Sequence, residues 1–114
     1  MISAPYVQTM ARYNVWQNAN IYEAAGRLPD AARKENRGAF FGSIHATLNH
    51  ILWADQTWLS RFGGSPRPAA QTIAEGLTQF GDWDVLTASD SLPPPPPPMA
   101  SRAQVAFSVC CSWM

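Results

Sequence analysis

The sequence predicts an all-α protein, an incomplete up-and-down four-helix bundle with two long helices and a partial third. Apolar residues recur at helical spacing over two long stretches, and residues 1–90 contain no alternating strand pattern. The proline run 93–98 lacks amide donors, so no helix can pass through it. We therefore expect a helical domain over residues 1–90, followed by a proline-rich tail over residues 91–114.

The first helix is predicted to run from about Pro5 to Arg27. Proline is tolerated in the first turn of a helix, and Pro29 ends the pattern. A polar loop over residues 29–35 is expected to follow. The apolar stripe of this helix consists of Tyr6, Val7, Met10, Tyr13, Ile21, Ala24, Ala25 and Leu28.

The second helix has the strongest periodic pattern in the chain. Asn36 is a suitable N-cap, and Gly63-Gly64 followed by Pro66 ends the helix. Residues 71–88 are predicted to form one or two short helical pieces. The stripe of the second helix consists of Phe40, Phe41, Ile44, Leu48, Ile51, Leu52, Trp58, Leu59 and Phe62.

Charge and composition exclude several classes of function. The 114 residues carry 8 basic and 8 acidic side chains, so the chain lacks the positive excess that nucleic acids or anionic membranes would attract. No apolar run approaches the ~18 residues of a membrane span, and the N-terminus does not resemble a secretory signal. We expect a cytoplasmic protein that binds neither nucleic acid nor membrane.

The tail over residues 91–114 differs in composition from the rest of the chain. Its strand-like segment, 105–111, has no partner hairpin, and the adjacent Cys110 and Cys111 span too little chain for an ordinary disulfide. We expect this tail to be disordered or loosely docked. One hypothesis is that it is an out-of-frame or truncated end.

Three polar residues lie on or near the apolar stripes. Asn14 and Gln17 fall within the first stripe and Asp55 near the centre of the second. Burying them unpaired would cost about 1–3 kcal/mol each, so they need partners. They form either an interhelical hydrogen-bond network that fixes helix register or the polar lining of a site in the bundle core.

The two histidines lie five residues apart on the second helix, so they point about 140° apart and cannot chelate one ion together. His45 is expected at the rim or surface. His50 has small neighbours at helical spacing, which leaves room for another helix or for an ion. His50 is therefore either an ordinary packed side chain or a metal ligand, and His45, carboxylates, Cys110 and Cys111 are the available further donors.

Trp53 is predicted to project opposite the apolar stripe of the second helix. Exposed aromatic residues of this size often mark an interface. A non-catalytic helical interaction protein, such as a homodimer, is therefore an alternative to a metal protein. The other interpretation of Trp53 is an ordinary, partly covered surface tryptophan.

Three segments resemble the N-terminal half of the DinB (damage-inducible) family of bacterial four-helix-bundle proteins. They are Tyr13-Asn14-Val15-Trp16-Gln17-Asn18, residues 38–55 with a Leu-Asn-His-x-x-x-x-Asp core, and Trp58-Leu59-Ser60-Arg61-Phe62. The resemblance covers about residues 5–90. It implies a divalent metal, commonly zinc or nickel, held by three histidines, of which the one on the second helix matches His50.

Comparison with the family pattern also indicates that this chain lacks two of the three histidine ligands. The other two family ligands form a His-x-x-x-His segment near the end of the fourth helix, and no such segment follows His50 here. We therefore expect the C-terminal half of the family fold to be missing or replaced and metal binding to be impaired. Relatives in the wider superfamily include transferases and isomerases that use low-molecular-weight thiols, so the ancestral activity would be thiol-dependent transfer or hydrolysis. Asn14, Gln17 and Asp55 would then support the site around His50, and a homodimer would fit the family.

Overall fold

The structure is a computed structural model that describes residues 3–62 and 66–90. Within these two ranges the only β pairing is an isolated bridge between Ala39 and Gly42, so the all-α class is confirmed. The up-and-down bundle stays a prediction, and the expectations for the tail fall outside the described residues. No helix in the described ranges has the length and apolarity needed to cross a membrane. The helices are α1 (Ala4–Gly26), α2 (Asp30–Lys34), α3 (Ile44–Arg61), α4 (Ile73–Gly76) and α5 (Trp83–Asp90).

Helix α1 begins and ends within one residue of the predicted bounds. The Ser3 hydroxyl accepts the backbone N–H of Tyr6 and caps the first turn. The predicted stripe was too broad, because Tyr6, Tyr13 and Ile21 lie on the flank of the helix and are exposed. The residues of α1 that are buried are Val7, Ala11, Asn14 and Ala25.

The expected loop over residues 29–35 instead contains the short helix α2, which buries a charged side chain. The guanidinium of Arg33 donates hydrogen bonds to the carbonyls of Ala25 and Leu28 at the end of α1. It also lies 4.3 Å from the centre of the Trp83 ring. Two backbone carbonyls and an aromatic face therefore surround the buried charge of Arg33 and compensate for its lost hydration.

The second long helix, α3, begins at Ile44 rather than near Asn36. Gly38 and Gly42 have φ values of 70° and 84°, which L side chains rarely adopt, and they close a tight turn. The N–H of Arg37 donates to the Gly42 carbonyl at 2.8 Å across this turn. Phe40 therefore lies in the turn and is 95% exposed, although the stripe predicted it to be buried. Ser43 caps α3 through a 3.0 Å hydrogen bond from the N–H of Ala46.

Helix α3 lies at the centre of the fold and contacts α2, α4 and α5. Residues 71–88 form two short helices, as predicted, and Gly81, with a φ of 62°, lies between them. A capping box between Thr72 and Glu75 begins α4. The buried apolar core joins α1, α3 and the C-terminal pieces through Ala25, Leu48, Leu52, Phe80 and Leu86.

Candidate functional site

His50 lies in the middle of α3 and faces the interior of the fold. Its side chain is 8% exposed, and its Nδ1 atom has no hydrogen-bond partner among the residues that the structure describes. Burial lowers the pKa of the His50 imidazole, because a charged ring would lose hydration there. The ring is therefore neutral near pH 7, and neutral imidazole is the form that binds metal ions.

Two aromatic rings lie against His50. Phe41 stacks on the imidazole with ring centroids 4.2 Å apart, and the Trp53 ring is 5.6 Å away. The small helical neighbours of His50 predicted open space beside the imidazole. The turn before α3 instead places Phe41 there, which a helical projection of α3 alone does not show.

His45 is buried, which corrects the prediction of a rim or surface histidine. It is 8% exposed, and its Nε2–H donates to the carbonyl of Gly81 at 2.6 Å. The turn that precedes α5 folds over this side of α3 and covers His45. The hydrogen bond gives His45 a structural role that is separate from His50.

Trp53 is half-buried, which agrees with the interpretation of a partly covered tryptophan and corrects the expectation that this side chain is exposed. Its indole N–H donates to the carbonyl of Ala70 at 3.0 Å. A Cβ atom at Gly76 would lie 2.6 Å from Trp53 Cδ2, so α4 packs directly on the indole ring. Residues 66–76 thus cover the side of α3 that was expected to be open.

The three polar residues predicted to support the site differ in their surroundings. Asn14 and Asp55 are buried on α1 and α3, as their places on the stripes predicted. Gln17 is half-buried, and its amide donates to the hydroxyl of Tyr13 on the same helix. The assignment of all three residues to a cofactor site stays a prediction.

Asn49 is a structural residue whose role the sequence did not predict. Its side chain is fully buried: the Oδ1 atom accepts the N–H of Phe80 at 3.0 Å, and the Nδ2 atom donates to the His45 carbonyl at 3.1 Å. Asn49 therefore fastens the segment before α5 to the helix that carries His50. The position of this amide in the Leu-Asn-His core, beside apolar residues, could have indicated a buried hydrogen bond.

The described residues do not by themselves form a complete metal site. Within residues 3–62 and 66–90, no three His, Cys, Asp or Glu side chains come close enough together to hold an ion. His45, His50 and Asp55 therefore do not form a three-donor group. Zinc sites in proteins use three or four protein ligands, so the described residues do not form a closed site around His50.

Comparisons with known proteins identify the family of this chain. The sequence model of the DinB family matches residues 1–91. Protein DinB of Bacillus subtilis (strain 168) is 31% identical over 67 residues, which are 59% of this chain and 39% of that relative. The matched segment thus spans about two fifths of the relative's length, and no solved structure matches the chain. The match over residues 1–91 shows that this chain belongs to the DinB family.

Proposed function

We propose that this chain is a cytoplasmic DinB-type domain that contributes His50 as one ligand of a divalent metal ion, zinc or nickel. The observation that carries the proposal is the neutral, buried imidazole of His50, whose Nδ1 atom has no hydrogen-bond partner among the described residues. A buried polar atom without a partner is rare in folded proteins and is often explained by an ion or a water molecule. Membership of a family that is generally associated with metals supports the same assignment.

At least one further ligand must come from outside the described residues, because no three His, Cys, Asp or Glu side chains within them come close enough together to hold an ion. We propose two sources, Cys110 and Cys111 in the tail or a second copy of the chain. Thiolates bind zinc well, and a twofold pair of chains would bring two His50 imidazoles to one ion. Because the described site is incomplete, we assign no reaction step to it. Thiol-dependent transfer or hydrolysis, with a low-molecular-weight thiol as partner, would require a complete site.

Equilibrium dialysis of the full chain against Zn²⁺ or Ni²⁺, followed by metal analysis by mass spectrometry, tests this proposal. We expect the wild type to retain metal and His50→Gln to lose it. His45→Gln is the matched control, because a glutamine amide can still donate to the Gly81 carbonyl. Wild-type protein without retained metal, or equal retention by His50→Gln, would contradict the proposal.

Two further measurements identify the source of the other ligands. If the tail supplies them, the double variant Cys110→Ser, Cys111→Ser loses the metal while the protein stays a monomer. If a second copy supplies them, sedimentation shows a dimer that forms with the metal and disappears with His50→Gln. A chain that retains metal without showing either result would contradict both proposed sources.

A second candidate function is that of a non-catalytic helical interaction protein that pairs with itself. The flank of α1 exposes Tyr6, Tyr13 and Ile21, and Trp16, which contacts Tyr13, is 59% exposed. Exposed aromatic residues of this size are common in interfaces. Sedimentation in EDTA tests this alternative: we expect a dimer that Tyr13→Glu dissociates and Gln8→Glu, on another side of α1, leaves intact. A wild-type monomer in EDTA would exclude this metal-independent pairing.

A further inference from the structure

A cavity of about 100 Å³ lies between the second half of α3 and the segment 66–71. This volume is well below the ~300–1,000 Å³ of pockets that enclose drug-sized ligands, so only a small group can enter. Among the described residues, no acidic side chain lines the cavity. The polar and aromatic part of its wall consists of Trp53, Thr57, Arg61, Arg67 and Gln71.

Arg61 and Arg67 carry positive charges that the described residues do not neutralise. Neither guanidinium has a carboxylate within ion-pair distance or a hydrogen-bond acceptor in residues 3–62 and 66–90. Arg61 lies 4.8 Å from the centre of the Trp58 ring, which leaves its N–H groups available. The basic residues that do pair with carboxylates are Arg27, Arg33, Lys34 and Arg37.

The other donors in the wall are already engaged. The Thr57 hydroxyl donates to the Trp53 carbonyl at 2.8 Å, and the Gln71 amide donates to the carbonyls of Pro68 and Ala69. The two guanidiniums are therefore the groups with donors to spare. The end of α3 is electronegative, so an anion here would depend on these two side chains and not on the helix dipole.

Hydrogen bonds hold the wall of the cavity in place. The indole N–H of Trp53 donates to the Ala70 carbonyl, and the Ala70 N–H donates to Gln79 Oε1 at 2.9 Å. Helix α4 also packs on Trp53 through Gly76, which lies against the indole ring. These hydrogen bonds order the wall around Ala70 before a ligand enters, which lowers the entropic cost of binding.

We propose that this cavity binds a phosphate group, as the free ion or as the ester of a larger molecule, between Arg61 and Arg67. A phosphate carries about −1.5 to −2 charges at pH 7, which two guanidiniums balance. The planar guanidinium also matches the spacing of phosphate oxygens and donates two parallel hydrogen bonds. Neither Arg61 nor Arg67 is a proposed metal ligand, so phosphate binding can be tested separately from metal binding at His50.

Calorimetric titration of the full chain with inorganic phosphate tests the proposal, in EDTA and at constant ionic strength set with NaCl. We expect saturable binding by the wild type and a loss of about tenfold or more in affinity for Arg61→Gln and for Arg67→Gln, since hydrogen bonds to charged groups contribute strongly. Arg12→Gln is the matched control, because Arg12 is another exposed arginine without a carboxylate partner in the described residues. Circular dichroism checks that each variant is folded.

Titrations with methyl phosphate and with acetate test which anion the site prefers. Tighter binding of methyl phosphate than of inorganic phosphate would support the ester as ligand, and the reverse order would support the free ion. Acetate binding as tightly as phosphate would overturn the proposal, and so would absence of saturable phosphate binding. Equal weakening by Arg12→Gln would also overturn it, because binding would then reflect net charge alone.

Discussion

The ring of Phe41 lies on the imidazole of His50, with centroids 4.2 Å apart and planes inclined by 29°. The two residues belong to different elements, since Phe41 lies in the turn closed by Gly38 and Gly42 and His50 in α3. The geometry of this turn therefore controls how much of the imidazole solvent can reach. An ion that binds His50 would also have to share the space with this ring.

We predict that Phe41→Ala makes His50 accessible to solvent. The imidazole should then react several times faster with diethyl pyrocarbonate, because the covering ring is gone. Peptide mass spectrometry, at a pH of about 7.5 where a free imidazole is already neutral, distinguishes modification of His50 from that of His45. Phe40→Ala is the control, since Phe40 is almost fully exposed and touches Phe41 rather than His50. Unchanged reactivity of His50 in Phe41→Ala would show that the ring does not shield it.

Stability should fall in mildly acidic solution because of His50. Burial lowers the pKa of this imidazole in the folded chain, so below about pH 6.5 the unfolded chain binds more protons than the folded chain. The resulting loss in the free energy of unfolding is absent above the pKa of His50 in the unfolded chain. It grows as the pH falls below that value and becomes constant below the pKa of His50 in the folded chain. Urea unfolding in EDTA at pH 7.5 and pH 5.5 measures the effect. His50→Phe should reduce the difference in the free energy of unfolding between the two pH values. An unchanged difference would mean that other groups cause the pH dependence.

We predict that Asn49→Ala destabilises the fold by about 1–3 kcal/mol, because the buried N–H of Phe80 loses its acceptor. Asn49→Asp keeps an acceptor for Phe80 but loses the donor to the His45 carbonyl, and it places a charge in the core. Chemical denaturation measures both changes. Asn20→Ala is the control at an exposed position of α1, where the expected change is within about 0.5 kcal/mol. A loss in Asn49→Ala no larger than that of the control would mean that this hydrogen bond does not hold the segment.

Gly76→Ala should destabilise the protein by about 1–3 kcal/mol, because the added methyl group would lie 2.6 Å from Trp53 and force a shift of the ring or of α4. Tryptophan fluorescence during urea unfolding reports both stability and the surroundings of the indole. Gly26→Ala is the matched control, since its methyl group would meet Trp83 at an ordinary 3.7 Å. That change should be neutral or stabilise by about 0.4–1 kcal/mol. Equal stability of the two variants would contradict close packing of α4 on Trp53.

The sequence predicted the two long helices well because their apolar spacing and end residues are local signals. Ser3 with Pro5 begins α1, and the periodic stripe marks α3 as far as Phe62. The start of α3 could not be placed in the same way. An apolar spacing that continues through Phe40 and Phe41 is compatible with a helix, and the positive φ values of the flanking glycines are visible only in the fold.

The surroundings of the candidate site were predicted less well, for a physical reason. A helical projection orders residues around one helix, but it does not show which distant segments cover each side. His45 is buried by the turn at Gly81, and Trp53 is covered by Ala70 and α4, both of which are more than fifteen residues away along the chain. The position of His50 on α3 was enough to predict that it faces the interior. The contact with Phe41 could not be predicted in this way, because it depends on the turn before α3.

The position of Arg33 has a consequence for any shortened version of this protein. Its guanidinium is enclosed by carbonyls at the end of α1 on one side and by the Trp83 ring on the other. Removing residues from Trp83 onward would open the enclosure, expose a face of the charged group and deprive it of its aromatic neighbour. The smallest fragment that keeps the native junction between α1 and α2 must therefore extend through Trp83, well past the last turn of α3.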